Sequence, residues 1–250
     1  MICFKQWHED TFFYRETKLN FCQCDELHQL NLSELLLVTA DSAIEDYHQR
    51  GFTYEYLNDH GVAILVSRVS FKIHSMPKSN DIITIKTWEE APVGLQLARR
   101  YEITGVSGQS LVSGYSTWLV VNPELRRIMK PSQFTLRDEP TLKTEFCGLD
   151  CTKIAVPEDM QLLDERTIRY TDIDANGHMN NARYGAYIID CLPAEYQQKT
   201  LTDFRINYSH EARKGDTFRL FGKIEQAAHK VVVVGTTEGG TCFESELYFS

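Results

Sequence analysis

The sequence predicts an α+β protein that contains two copies of one plan. Each half shows a polar turn, a segment with helical periodicity and then four segments with strand character. One stretch of each half also aligns with the other half without gaps. A helix followed by a run of strands is typical of α+β folds. The 250 residues are enough for one large domain or two small ones with real cores.

In the first half, a polar turn at residues 24–31 leads into LSELLLVTADSAIEDYHQRG, where apolar side chains recur at helical spacing. Gly51 is well placed to end this helix. Four segments with alternating or β-branched character follow, and turn residues separate them. We therefore expect four strands, in VAILVSRVSFKIH, DIITIKTWEE, LQLARRYEIT and SLVSGYSTWLVV.

The second half repeats this order, with a strand, a polar turn and a helix that begins near Asn180. Its four expected strands are FRINYSHE, DTFRLFGKIEQ, KVVVVGTT and FESELYFS. Residues 70–85 align on residues 205–220, so that Phe71 matches Ile206 and Asp81 matches Asp216. The shared element order favours duplication over chance similarity. We expect an N-terminal domain at residues 1–140, a linker at 141–160 and a C-terminal domain at 161–250.

Composition excludes several classes of function. A net charge of −9 argues against a general nucleic-acid binder, which would carry a basic excess. Lys5, His8 and Glu9 interrupt the apolar N-terminus, and no apolar run approaches the length of a membrane span, so we expect a cytoplasmic protein. The seven cysteines are irregularly spaced without a C-x-x-C pair, which favours reduced, mostly packed thiols over zinc or disulfides.

The turn DIDANGHMNNARY, at residues 172–184, contains more polar side chains than a turn requires. An Asn or Asp helix cap is worth about 1 kcal/mol, but one cap suffices and leaves His178 unexplained. The pattern begins like an EF-hand loop, yet its twelfth position is Arg183, where a bidentate Glu is needed. A metal site with Asp172, Asp174 and His178 stays open, although alternate residues of an extended turn point to opposite sides.

A serine nucleophile is excluded by its context. The nearest match to G-x-S-x-G is GVSGQ at residues 105–109, which lacks the last glycine. A nucleophile elbow also lies between a strand and a helix, whereas this stretch lies between two expected strands.

The same turn resembles the D-x-N-x-H-x-N-N-x-x-Y signature of acyl-ACP thioesterases. Downstream, INYSHEARKGD is similar to the Y-x-x-E segment of that family, and upstream SFKIHSMPKSNDIITIKTWEEAP is similar to its first-domain strand, proline turn and T-W pair. The resemblance therefore covers nearly the whole chain. It implies two tandem hotdog domains, each with a curved antiparallel sheet wrapped around a central helix.

The resemblance also implies an activity and a site. The family hydrolyses the thioester between a fatty acyl chain and acyl carrier protein, which ends chain elongation and needs no cofactor or metal. Its proposed catalytic set corresponds to Asp174, Asn176, His178 and Glu211. Plant members often carry a cysteine after the glutamate, where this chain has Ala212. An aromatic residue common early in the first-domain strand is absent from VAILVS.

Thioester hydrolysis needs a base or nucleophile and donors for the oxyanion, because a thiol with a pKa of about 8.5 leaves readily. Glu211 and Asp174 could act as base or nucleophile, and the sequence does not decide between them. His178 and Asn176 could position water or polarise the carbonyl. Backbone N–H groups near Asn180, at the start of the helix, could hold the oxyanion.

The corresponding turn of the first repeat, CDELHQLNLSEL, lacks the D-x-N-x-H run, and Met76 aligns with Glu211. We therefore expect the first domain to supply the acyl-chain pocket and to act as the partner in an internal pseudo-dimer. A homodimer is left open.

An acidic carrier protein would need a local basic patch on this acidic chain. The candidates are Arg126, Arg127 and Lys130, or Arg213 and Lys214. Two other functions remain: a hotdog dehydratase that acts on acyl thioesters, and a non-catalytic protein that binds them.

Overall fold

The computed structural model describes residues 2–250; Met1, where the predicted N-terminal domain begins, lies outside them. In this range the strands form one antiparallel sheet, in the order β1-β2-β4-β5-β6-β3-β9-β12-β11-β10-β8, with β7 paired to β6. The strands are β1 (Ile2–Glu9), β2 (Phe12–Lys18), β3 (Ala63–Ile73), β4 (Ile82–Val93), β5 (Gln96–Gly105), β6 (Ser110–Asn122), β7 (Arg127–Met129), β8 (Gln161–Thr167), β9 (Leu201–Tyr208), β10 (Thr217–Glu225), β11 (Lys230–Thr237) and β12 (Gly240–Phe249). The α-helices are α1 (Leu32–Gln49), α2 (Tyr54–Asp59), α3 (Arg183–Asp190) and α4 (Ala194–Gln197).

The first half contains the predicted helix α1 and the four predicted strands β3 to β6. Gly51 follows α1 with a φ of 87°, a left-handed conformation that glycine adopts without steric cost. The sequence analysis missed the hairpin of β1 and β2, whose second strand pairs with β4. Glu9 and Asp10, which interrupt the apolar N-terminus, lie at the turn of this hairpin, and Asp10 has a φ of 53°.

The second half contains the predicted strands and a helix that starts later than expected. Helix α3 begins at Arg183 rather than near Asn180. The reason is local: the Asn180 side chain accepts a hydrogen bond from the Ala182 N–H at 2.8 Å, which holds a turn in front of the helix. The helix is short because the chain turns at Cys191, two residues before Pro193.

Strands β3 and β9 join the two halves into one sheet. Ser70 lies opposite Arg205, and these are the first residues of the two stretches that align in sequence. Asp81 and Asp216, which also align, each accept a backbone N–H from three residues upstream at 2.8 Å. This arrangement confirms the expected fold of two tandem hotdog domains.

Helices α1 and α3 approach closely at Gly185. A Cβ atom built there would lie 2.9 Å from Leu36 Cδ1 and 3.0 Å from the Ser33 nitrogen, so a side chain would collide with α1. The polar turn that precedes α3 is therefore held next to the helix of the other half.

Residues 134–160 connect the halves without a helix or a strand. This connecting segment is tied to the first half by Thr144, whose N–H donates to Glu90 at 2.9 Å, and to the second half by the Thr152 carbonyl, which accepts from Asn207 at 3.0 Å. Where the domain boundaries lie within it stays a proposal. In residues 2–250, no helix is long and apolar enough to cross a lipid bilayer.

A buried ion network packs between the end of α1 and strands β4 and β5. Arg99 contacts Asp46 at 2.7 Å and Arg137 contacts Glu89 at 2.6 Å, and all four side chains are at most 7% exposed. Burial pushes the carboxyl pKa values up, but Arg99 and the other nearby guanidinium groups outweigh it. The pKa values of Asp46 and Glu89 therefore lie below their ordinary values.

Replacing Arg99 with leucine should destabilise the protein by about 3–5 kcal/mol, because it leaves the buried Asp46 carboxylate without its closest cation. The measurement is urea unfolding at pH 7. The matched control is Arg219→Leu, since Arg219 and Glu165 form a pair with side chains 43% and 48% exposed. Such surface pairs contribute at most about 1 kcal/mol. Equal losses in the two variants would contradict the prediction.

The network should also make stability depend on pH. Because the pKa values of Asp46 and Glu89 are lower in the folded protein than in the unfolded chain, their contribution is present above the unfolded values of about 4. It is lost as the pH falls through the folded values. Arg99→Leu should therefore flatten the acid side of the unfolding free energy against pH, whereas Arg219→Leu should leave its slope unchanged.

Candidate active site

His178 and Glu211 are in direct contact at the polar turn. His178 Nε2 lies 2.8 Å from Glu211 Oε2, and the side chains are 29% and 53% exposed. His178 belongs to the turn before α3, whereas Glu211 lies in the loop after β9 rather than within a strand. The Met179 N–H donates to the Ala212 carbonyl at 2.8 Å and fastens turn and loop together. Two of the four predicted catalytic residues are thus in direct contact.

The other two predicted residues, Asp174 and Asn176, lie within the turn. The Asp174 N–H donates to the His178 carbonyl at 2.9 Å, and the Asp174 carboxylate accepts the Asn176 N–H at 2.8 Å. Gly177 has a φ of 81°, which lets the chain reverse between Asn176 and His178.

Asp172 has a different task from Asp174. It is buried, its pKa is lowered, and it accepts hydrogen bonds from the Arg169 N–H at 2.8 Å, the Tyr187 hydroxyl at 3.0 Å and Arg183 at 3.1 Å. Burial alone would raise that pKa, and these donors reverse the effect. Asp172 therefore anchors the turn to α3. Across residues 2–250, no cluster of three or more His, Cys, Asp or Glu side chains is arranged to hold a metal ion.

A cleft of about 200 Å³ opens beside the turn. Asp174 and Asn176 line it on one side, and the apolar face of α1, with Leu36, Ala40 and Ile44, lines it on the other. His178 and Glu211 are not among its lining residues. The turn therefore contributes Asp174 and Asn176 to the cleft, whereas the contact between His178 and Glu211 lies outside the cleft walls.

Two features of the cleft wall were not assigned a role from the sequence. Asn181 lies in the wall, and its backbone N–H has no hydrogen-bond partner within residues 2–250. Tyr208 also lies there and donates to the Asn181 carbonyl at 3.3 Å, and desolvation raises the Tyr208 pKa. The Tyr208 hydroxyl thus holds the peptide between Asn181 and Ala182, next to the one that carries the Asn181 N–H. In the sequence, only the Y-x-x-E pattern, which contains Tyr208, indicated a role for this tyrosine.

Neither Cys191 nor the position after Glu211 supplies a reactive thiol. Ala212, where a thiol would stand beside Glu211, is fully buried. Cys191 ends α3 and is buried, which raises its pKa to about 12 and keeps the thiol protonated near neutral pH. The expectation of mostly packed thiols is only partly met, because Cys3, Cys22 and Cys147 are exposed.

Two family models match the chain. The model of the acyl-ACP thioesterase N-terminal domain covers residues 10–133, and that of the C-terminal domain covers residues 157–239. The chain belongs to the acyl-ACP thioesterase family. The signature in the polar turn and the two-halved fold agree with this membership.

Curated relatives are plant proteins of low identity. A chloroplastic acyl-[acyl-carrier-protein] hydrolase of Cuphea viscosissima is 24% identical over 157 residues, which is 60% of this chain and 38% of the relative. Oleoyl-acyl carrier protein thioesterase 1 of Arabidopsis thaliana is 24% identical over 169 residues, or 61% of this chain and 45% of the relative. The chain thus matches less than half of the length of these relatives.

Solved structures share the fold over nearly the full length. An acyl-ACP thioesterase from Bacteroides thetaiotaomicron has a TM-score of 0.83 at 22% identity, covering 96% of this chain and 98% of that one. A 12:0-ACP thioesterase from Umbellularia californica has a TM-score of 0.78 at 16% identity, with 98% of each chain covered. At these identities the likeness establishes the two-hotdog fold.

Proposed function

We propose that this protein hydrolyses the thioester of fatty acyl-acyl carrier protein and releases a free fatty acid. The observation that carries the proposal is the direct contact of His178 with Glu211, which joins two segments that both resemble the family. Family membership supports the same reaction. A carboxylate paired with an imidazole is a recurrent device for activating water.

In the proposed mechanism, Glu211 accepts a proton from a water molecule, and the water oxygen attacks the thioester carbonyl carbon. The C–O π electrons move onto oxygen, and the tetrahedral intermediate then collapses with cleavage of the C–S bond. The sulfur leaves as a thiolate with a pKa of about 8.5, so it needs little acid assistance. His178 orients Glu211 through the 2.8 Å contact. The proton that Glu211 took from water then passes to the leaving thiolate, which restores the Glu211 carboxylate.

The oxyanion requires donors on the cleft side of the turn. The unpartnered Asn181 N–H and the Asn176 side-chain amide are placed there, on a wall that the substrate would contact. Loss of one such donor typically lowers kcat by a factor of about 10² to 10³.

The acyl chain would extend along α1, in the first half of the molecule. The cleft continues past Ile44, Ile64 and Trp118, which also line a smaller cavity of about 30 Å³. Glu89 and Arg99 of the buried ion network also line that cavity. Their charges would limit how far an acyl chain could extend into it. This placement supports the first domain as the acyl-chain pocket.

The side chains that pack between helix and sheet differ in the two halves. Four aromatic rings fill the space between α3 and its sheet, with centroid separations of 5.2 to 6.1 Å, in contacts among Tyr184, Tyr208, Phe218 and Phe243. The corresponding side of the first half uses aliphatic side chains instead, such as Leu35 and Ile83. The asymmetry favours chain binding in the first half.

The carrier protein would dock beside Glu211. Of the two basic clusters predicted from the sequence, the cluster of Arg213 and Lys214 closely follows Glu211 in the chain. Arg213 lies 3.8 Å from Glu211, and its side chain is 65% exposed. Positive charge at this position would attract an acidic carrier towards the cleft. The cytoplasmic location and a homodimer remain predictions.

A dehydratase and a non-catalytic binding protein are the rival functions. Release of free thiol from acyl-acyl carrier protein separates hydrolysis from both rivals, because only hydrolysis cleaves the C–S bond. Absence of thiol release by the pure protein would overturn the proposal.

His178→Ala and Glu211→Gln should each lower kcat for thiol release by a factor on the order of 10² or more, the scale of a lost general base. The matched control is Gln29→Ala, because Gln29 occupies the position of His178 in the first repeat and should be dispensable. Steady-state assays of thiol release measure all three. Full activity of Glu211→Gln would reject the mechanism.

Ala40→Phe should shorten the preferred acyl chain, because the added ring occupies the cleft between α1 and the turn. The ratio of kcat/KM for long to short acyl chains should fall about tenfold or more, in line with the 1–3 kcal/mol typical of steric discrimination. The control is Ala186→Phe on α3, which faces the opposite groove. An unchanged ratio in Ala40→Phe would place the acyl chain elsewhere.

Lys214→Glu should raise KM for acyl-acyl carrier protein several-fold but leave KM for a small acyl thioester unchanged, because only the carrier is acidic. The effect should fade at high salt as charges are screened. The control is Arg127→Glu, because Arg127 belongs to the other basic cluster predicted from the sequence. Equal effects on both substrates would contradict docking through Lys214.

A further inference from the structure

A hydrogen-bonded group of polar side chains lies in the wall of the cleft, on the strands of the first half. Tyr101 on β5 and Ser116 and Trp118 on β6 all line the cleft. The hydroxyl oxygens of Tyr101 and Ser116 are 3.0 Å apart, and the Trp118 indole N–H donates to Ser116 Oγ at 2.7 Å. Tyr101 is 2% exposed and Ser116 is 1% exposed. We call these three residues the hydroxyl cluster.

Within residues 2–250, the hydroxyl cluster has one hydrogen-bond donor more than the protein accepts. A hydroxyl carries one hydrogen, and a contact between two hydroxyls uses the hydrogen of only one of them. The Trp118 N–H already donates to Ser116 Oγ, and neither hydroxyl has a further acceptor in that range. One hydroxyl hydrogen is therefore left over. Burial raises the pKa of Tyr101, so its hydroxyl stays protonated near neutral pH.

The surroundings of the hydroxyl cluster make this extra donor important for a ligand. Ile44, Ile64 and Val69 line the same cleft. A chain of methylene groups would displace water from the extra donor and leave it unpaired, which costs free energy. Thr39, another hydroxyl residue of the cleft wall, donates to the Leu35 carbonyl at 2.9 Å and leaves no such demand.

The hydroxyl cluster lies well away from the polar wall of the cleft. Ser116 is opposite Val69 of β3, and Val69 is opposite Ile206 of β9. Two strand spacings therefore separate Ser116 from β9, which is about 10 Å along the sheet. Strand β9 also carries Tyr208, which bonds the Asn181 carbonyl of the polar turn. The cluster thus faces the interior of an acyl chain rather than the carbons next to its thioester.

We propose that the preferred acyl chain carries an oxygen atom, as a hydroxyl or oxo group, at an interior carbon, and that the hydroxyl cluster donates a hydrogen bond to this oxygen. This inference rests on the proposed thioester hydrolysis and names the class of acyl chain for the same cleft. An oxo oxygen accepts the extra hydrogen directly. A hydroxyl oxygen also accepts it, and its own hydrogen can return to a lone pair of the cluster.

The first test compares kcat/KM for acyl chains of equal length on the carrier protein, with and without an interior oxygen. The wild type should favour the oxygenated chains by about tenfold or more, because a site that hydrogen-bonds a substrate oxygen discriminates against the analogue without it. The triple variant Tyr101→Phe, Ser116→Ala and Trp118→Phe removes every donor of the cluster and should lose this preference. The control Tyr115→Phe removes a hydroxyl outside the cleft lining and should keep it.

A second measurement is independent of turnover. Calorimetric titration with free fatty acids of one length should show about tenfold tighter binding to the wild type when a hydroxyl or oxo group lies at an interior carbon. The same group at the third carbon should give no such gain, because the cluster lies about 10 Å along the sheet from β9. The tighter of the hydroxy and oxo acids identifies the oxygen that the cluster binds.

The outcomes separate this inference from the proposed function. A wild type that binds the oxygenated acids more tightly but releases no thiol defeats the proposed function alone. An active wild type that treats oxygenated and unsubstituted chains equally, in both kcat/KM and binding, defeats this inference alone. A preference that the triple variant retains also defeats it, because the oxygen would then be bound elsewhere.

Discussion

The pairing of β3 with β9 is the constraint on which the rest of the structure depends. It aligns the two halves about Ser70 and Arg205, and it brings α1 against α3 until only glycine fits at position 185. The cleft exists because the helix of one half faces the polar turn of the other. Neither half could build that cleft alone, since its apolar wall and its polar wall come from different halves.

Duplication allowed the two halves to specialise around one backbone. The turn at Asp25 keeps the hydrogen bonds of the turn at Asp174 while its side chains have changed. In the second half, aromatic rings pack tightly behind the reactive turn and support it against the sheet. In the first half, the cleft lies against the alanine-bearing face of α1. The aromatic packing therefore belongs to the second half, and the cleft lies against the helix of the first half.

Much of this arrangement could be predicted from sequence because it is local or periodic. Helix α1 and the strands carry clear apolar patterns. The family resemblance named His178 and Glu211 as candidate site residues, and their direct contact is seen only in the structure. The β1–β2 hairpin was missed because its polar turn looked like an interruption. The late start of α3 depends on the Asn180 side chain, and the bond from Tyr208 to the Asn181 carbonyl depends on how β9 approaches the turn. Such details are set by three-dimensional contacts rather than by pattern.

The connecting segment at residues 134–160 has a thermodynamic consequence. Because it is bonded to both halves and covalently links them, their association is a unimolecular process. Dilution therefore cannot separate the two walls of the cleft, as it could in a dimer of separate chains. The chain also contains one copy of each half, so a substitution in one wall is never imposed on the other. A symmetric dimer, in which every change appears twice, has no such freedom.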